Sequence, residues 1–153
     1  MNKRQKAILV ELITGIVITV VAVIAMINFK DWVNRSQAIK ATEQLGREVF
    51  EYRKEHGSLP TSTYVEKIKR SLAGGVRLGN LQYRSLWIDP ESPPDEILSY
   101  TEKRFPSSLL DDGYVVLRLN GDVKWMSKEE LDTLLPEQQR QMEEKGKFRL
   151  PCP

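Results

Sequence analysis

Apolar and polar positions divide this chain into one unbroken apolar run followed by segments of changing period. Residues 7–29 (AILVELITGIVITVVAVIAMINF) are almost wholly apolar, broken near the start by the carboxylate Glu11. As a helix rising about 1.5 Å per residue, the run covers roughly 34 Å, enough to cross a bilayer core. Beyond it, Ala38, Ala41, Leu45, Val49 and Tyr52 recur at steps of three and four. That spacing is the buried stripe of an amphipathic helix, widened by Ile39 and Phe50. Lys40, Glu43, Arg47, Glu51 and Lys54 take the polar side, with Glu43 and Arg47 at i,i+4. Gly57 predicts the stop and Pro60 blocks continuation. The two patterns read as one helix that leaves the bilayer and covers a soluble domain.

Shorter elements follow. Thr63 and Glu66 have capping-box spacing ahead of a stripe of Val65, Ile68 and Leu72, and Gly74-Gly75 marks a chain stop. No Gly-Lys-Ser/Thr follows that glycine pair, so it is no phosphate loop. Residues 81–88 are strand-like with imperfect alternation, and Ile97–Lys103 reads as the next strand, closed by Pro106. The sharpest pattern is GYVVLRLNGDVKWM, residues 113–126. Val115, Leu117 and Leu119 alternate with Tyr114, Val116 and Arg118. Asn120-Gly121 predicts a type I′ hairpin turn, with Val123 and Trp125 on the return strand. Ser127 and Glu130 then predict a capped helix with Leu131, Leu134 and Leu135 facing inward, interrupted at Pro136, after which the polar segment 137–146 reads as a further exposed helix.

Composition narrows the function classes. Charged residues make up 29% of the 153, and they fall almost entirely outside the apolar run. With a formal net charge of +2 and no basic block beyond the first six residues, nothing points to nucleic acid. Lys3, Arg4 and Lys6 precede the span without an acid, and the flank after it is mixed. The positive-inside rule then places the N-terminus in the cytoplasm and the remainder across the membrane. The run is longer than the apolar core of a secretory signal peptide and lacks its small-residue cleavage site, so the expectation is a retained anchor.

Candidate chemistry is sparse. Cys152 is the single cysteine, within a terminal Pro-Cys-Pro, which excludes an intramolecular disulfide and a cysteine metal site. His56 is the single histidine; in a helix's last turn it is expected to meet the terminal carbonyls. No residue is assigned a catalytic, cofactor or metal role, and no small-molecule substrate is evident. Glu11 stands apart because a carboxylate within an apolar span is costly without a partner. On physics alone two readings stay open. Glu11 can reach toward headgroups or pair with Lys6 or Arg4, or it can set the register of an assembly.

The run Ala7-Ile8-Leu9-Val10-Glu11-Leu12, its apolar helix and the following Phe29-Lys30-Asp31-Trp32 resemble the N-terminus of type IV pilins and type II secretion pseudopilins. Tyr52, Gly57 and Pro60 are similar in spacing to the end of the family's long helix. The resemblance implies leader cleavage between Lys6 and Ala7, with Glu11 at the fifth mature position. There it would pair with the free amine of a neighbouring subunit. Family leaders end in glycine and mature chains begin with phenylalanine, where this chain has Lys6 and Ala7. Without cleavage no amine forms at Ala7. Some major pseudopilins hold calcium in a C-terminal loop, and residues 89–96 are acidic. Their prolines and spacing fit a solvated surface turn instead. The end of the chain is weakly similar to prepilin-type processing-associated proteins, with Gly121-Asp122-Val123-Lys124-Trp125 matching the last hairpin. Leu110 and Asn120 replace the signature's histidine and aspartate.

The expected fold is therefore α+β and pilin-like, a long N-terminal helix packed on an antiparallel sheet of three or four strands. The divisions are a basic leader (1–6), a transmembrane helix (7–29), its soluble continuation (30–57), a globular domain (58–135) and a polar tail (136–153). The expected function is non-enzymatic: a single-pass inner-membrane subunit that assembles with other pilin-like subunits or envelope proteins. The alternative is an unprocessed anchor whose extracytoplasmic domain binds an envelope partner.

Overall fold

The computed structural model describes residues 2–88 and 92–148. A single helix, α1 (Lys3–His56), carries both the apolar run and the amphipathic stripe without a break. Asn2 precedes it and donates its N–H to the Gln5 side chain at 3.0 Å. Gly57 ends it in the left-handed region at φ 72°, with its N–H bonded to the Arg53 carbonyl at 2.8 Å. The expected stripe is buried at Ala38, Ala41, Leu45 and Val49, and Thr42 and Gly46 join it. Gly46 is there for space: a Cβ would lie 3.0 Å from Leu117 Cδ1. The Glu43–Arg47 ion pair expected from spacing does not form.

Helix α2 (Ser62–Ser71) follows. Its cap is Thr61, whose hydroxyl accepts from the Tyr64 N–H at 3.4 Å, and not Thr63. Glu66 instead pairs with Lys69 at 3.1 Å. Four strands, β1 (Leu81–Tyr83), β2 (Ile97–Lys103), β3 (Gly113–Arg118) and β4 (Val123–Ser127), form an antiparallel meander in sequence order. β1 is shorter than its apolar pattern. The Arg84 N–H bonds the Leu98 carbonyl at 2.9 Å, and a 3-10 turn at Ser85–Trp87 then leads the chain away. That carbonyl sits at the bulge where β2 shifts register between Ile97 and Ser99.

Both faces of the sheet are covered. Ala41, Leu45 and Val49 of α1, Val65 and Ile68 of α2, and Leu78 pack on Leu98 and Leu117. On the opposite face Ile97, Val116 and Met126 pack against Leu131, with Leu134 and Leu135 beside them. These leucines belong to α3 (Lys128–Phe148), opened by the expected capping box between Ser127 and Glu130. The interruption expected at Pro136 is absent, and the helix runs on to residue 148. A proline inside a helix costs about 3 kcal/mol, so the continuation needs tertiary support. Gln138 supplies it: its Oε1 accepts from the Ile97 N–H at 3.2 Å and from Arg84 Nη1 at 3.4 Å. The Gln138 Nε2 also reaches the Asp95 carbonyl at 3.5 Å.

The hairpin between β3 and β4 turns at Asn120 and Gly121 as expected, with a different backbone. A type I′ turn needs positive φ at both central residues, yet only Gly121 has it, at 88°. The Gly121 N–H bonds the Arg118 carbonyl at 3.0 Å, and the Arg118 N–H bonds the Asp122 carbonyl at 2.9 Å. That is the longer loop in which glycine takes the left-handed position. The Leu119 and Asn120 N–H groups are drawn to the Glu96 and Pro94 carbonyls, both at 2.8 Å, which selects it.

Candidate assembly site on the N-terminal helix

Residues 3–26 of α1 project beyond the domain with every side chain exposed. Ile8 and Ile18 are each 63% exposed, and the most apolar window of the helix has none of its residues buried. This is a candidate membrane span: long enough, apolar enough and covered by nothing among the described residues.

The polar side chains of that span are handled in two ways. The Thr14 hydroxyl donates to the Val10 carbonyl at 2.8 Å, and Thr19 donates to Gly15 at 2.9 Å. Asn28 Nδ2 donates to the Ile24 carbonyl at 2.8 Å. Each returns its hydrogen to a backbone oxygen one turn earlier, which makes it tolerable in hydrocarbon. Glu11 has no such route, because an ionised carboxylate has only acceptors and helix N–H groups are already bonded. It makes no ion pair with Arg4 or Lys6. Lys6 and Ala7 lie within the continuous helix, Ala7 one turn before Glu11.

Glu11 shares a face with small residues. Gly15, Thr19 and Ala22 follow it at steps of four, four and three, and a Cβ at Gly15 would meet nothing within 4 Å. Small residues on one face let a second helix approach closely in a membrane.

Farther along, α1 is clasped by the domain through contacts that sequence reading misses. Asn28 Oδ1 accepts from the Leu109 N–H at 2.8 Å and from Ser108 Oγ at 3.0 Å. Asn34 Oδ1 accepts from Arg77 Nη1 at 3.3 Å, and the Arg35 guanidinium lies 4.0 Å from the centre of the Trp125 ring. Lys103 donates to the Arg77 carbonyl, and burial together with the Arg77 charge holds its ammonium below the usual lysine pKa. The signal for the Asn28 clasp is a carboxamide inside an apolar run; its partner lies 80 residues away and is invisible to any local pattern.

The remaining candidates sit elsewhere. His56 Nδ1 lies 3.1 Å from the Tyr52 carbonyl and its ring stacks on Tyr52, the expected end-of-helix contact. Asn120 and Gly121 lie at the opposite end of the domain from Asn28, where Gly121 approaches Phe50. Asp89, Pro90, Glu91 and Cys152 lie outside the described residues. Glu96, at the other end of the acidic loop, is 2% exposed, and neither carboxylate oxygen has a hydrogen-bond partner among the described residues. Its counter-charge is Arg84, also buried, whose pKa is lowered by burial against the opposing effect of Glu96. Among the described residues no group of three or more His, Cys, Asp or Glu could hold a metal ion.

No family model matches the chain, and no curated protein or solved structure matches it.

Proposed function

We propose that this chain is a pilin- or pseudopilin-like structural subunit of the inner membrane, which assembles through helix packing along the apolar half of α1. The observation that carries this reading is Glu11, the one polar side chain of the span whose hydrogen-bonding capacity the chain leaves unmet. A buried carboxylate alone is expensive and becomes tolerable beside a cation. A neighbouring subunit shifted by about one helical turn supplies one: the Ala7 amine once the leader is removed, or Lys6 if it is kept. The small-residue face of Gly15, Thr19 and Ala22 supports the close approach this pairing needs. In this reading the N-terminus is cytoplasmic, the domain extracytoplasmic, and the work done is assembly rather than catalysis.

The second reading is a bitopic anchor that keeps its leader and binds an envelope partner through the domain. Lys6 favours it, standing where the resembled family has the glycine before the cut. Intact mass of the membrane-extracted protein separates the processing states: loss of residues 1–6, with or without a methyl group on Ala7, identifies pilin processing. Assembly is tested by Ala22→Cys in a Cys152→Ser background, oxidised in the native membrane. A crosslinked dimer is expected. Monomer alone overturns the assembly reading and leaves the anchor.

A further inference from the structure

Contacts between α1 and the domain form a ladder that orients the domain against the span. Residues 108 and 109 meet the helix at Asn28, Arg77 at Asn34, Trp125 at Arg35, Leu117 at Gly46, and the β3–β4 turn at Phe50. From Asn28 to Phe50 the helix rises about 33 Å. The connection between β2 and β3, residues 104–112, is therefore the end of the domain nearest the span, and the β3–β4 turn is the far end. Asn28 itself lies in the last turn of the apolar run, so this hydrogen bond holds the backbone of Leu109 beside the end of that run.

This loop presents an apolar tip at the end of the domain nearest the span. Leu109 is 84% exposed although its own N–H is held fast. Phe29 and Trp32, stacked with ring centres 6.2 Å apart, stand exposed at the same level of α1. Lys30 follows on the helix, and Arg77, Lys103 and Arg104 line the neighbouring rim. Acids share this end: Glu102 pairs with Arg104 at 2.8 Å, Asp112 accepts from the Phe105 N–H at 2.6 Å, and Glu130 accepts from the Ser127 N–H at 3.3 Å. Asp31 and Asp111 lie here too, with Glu129 and Asp132 at the start of α3, where Ser127 pairs with Gly113. An apolar tip flanked by aromatic rings with cations behind it matches the layering of a bilayer boundary.

We infer that residues 104–112 form a second membrane contact, in which Leu109 enters the phospholipid boundary beside Phe29 and Trp32 and the rim of Lys30, Arg77 and Lys103 meets lipid phosphates. This rests on the reading that residues 7–29 span a bilayer. With two points of attachment the domain is seated on the membrane at a fixed rotation about α1 instead of standing clear on a stalk. The small-residue face around Glu11 is then presented in one direction relative to the domain.

The test uses the full chain with Cys152→Ser in vesicles of phosphatidylcholine and phosphatidylglycerol, with a fluorophore on one introduced cysteine. Probes are placed at Ile18→Cys, Ser107→Cys and Ser58→Cys, and quenched by lipids carrying a nitroxide near the headgroup or deep in the acyl chain. The shallow nitroxide is expected to quench the Ser107 probe several-fold more than the Ser58 probe, while the deep one quenches the Ile18 probe. Adding Leu109→Asp to the Ser107 probe is expected to bring its quenching down to the Ser58 level. Quenching at Ile18 with none at Ser107 overturns the second contact and leaves the span intact. No quenching at Ile18 overturns the span and this inference with it.

Discussion

The two halves of α1 are the same helix in two surroundings, and they treat the same side chains differently. Between Ala38 and Val49 the apolar positions form a narrow stripe, because only one face meets the sheet. Between residues 7 and 26 they surround the axis, and all are exposed. Yet both halves solve their hydroxyl problem identically. Thr42, buried in the domain, donates to the Ala38 carbonyl at 2.9 Å, just as Thr14 and Thr19 donate one turn back in the apolar half. The chain is built so that polar groups in the first half need no water, which is what a hydrocarbon environment demands. Glu11 is the departure from that rule, and departures of this kind mark function more often than packing.

Substitutions that sharpen this contrast can be ranked by expected effect. Leu45→Ala removes a side chain 1% exposed at the centre of the helix–sheet core and should cost the domain about 3 kcal/mol. Ile18→Ala removes similar volume from the exposed half and should leave the domain's stability unchanged within about 0.5 kcal/mol. Urea unfolding of the detergent-solubilised chain, followed by tryptophan fluorescence, measures both; equal losses would erase the distinction between the halves. Next in size is Gln138→Ala, which strands the Ile97 N–H and an Arg84 nitrogen and should cost about 2 kcal/mol in the same assay. If it costs nothing, the reason given for the helix passing through Pro136 fails. Arg35→Ala is the smallest, about 1 kcal/mol through the Trp125 ring.

Where local signals decide the outcome, the sequence is readable. The stop at Gly57, the capping box at Ser127 and Glu130, the bounds of β2 and the hairpin position all follow from residues within a few places of each other. Where distant segments decide, it is not. The Asn120-Gly121 turn takes another backbone because the Glu96 and Pro94 carbonyls draw its N–H groups. β1 ends early where β2 shifts register at Leu98 and the chain enters a 3-10 turn, and α3 continues through Pro136 with Gln138 bonded to the sheet. Nothing local shows that α3 covers the far face of the sheet, since Leu131, Leu134 and Leu135 read as inward-facing against any apolar surface. Of the candidate site, Glu11 is legible because its cost is local, whereas the Asn28–Leu109 clasp requires the fold.

The central claim is that the carboxylate of Glu11 is completed by a neighbouring subunit, and one measurement addresses it most directly. In the Ala22→Cys, Cys152→Ser chain, Glu11→Gln removes the charge while preserving shape, and a neutral amide is cheaper to insert than a carboxylate. The expected result is loss of the crosslinked dimer with the membrane-bound fraction unchanged. A dimer yield equal to that of the Glu11 chain would contradict the claim and leave Glu11 an incidental acid near the membrane boundary.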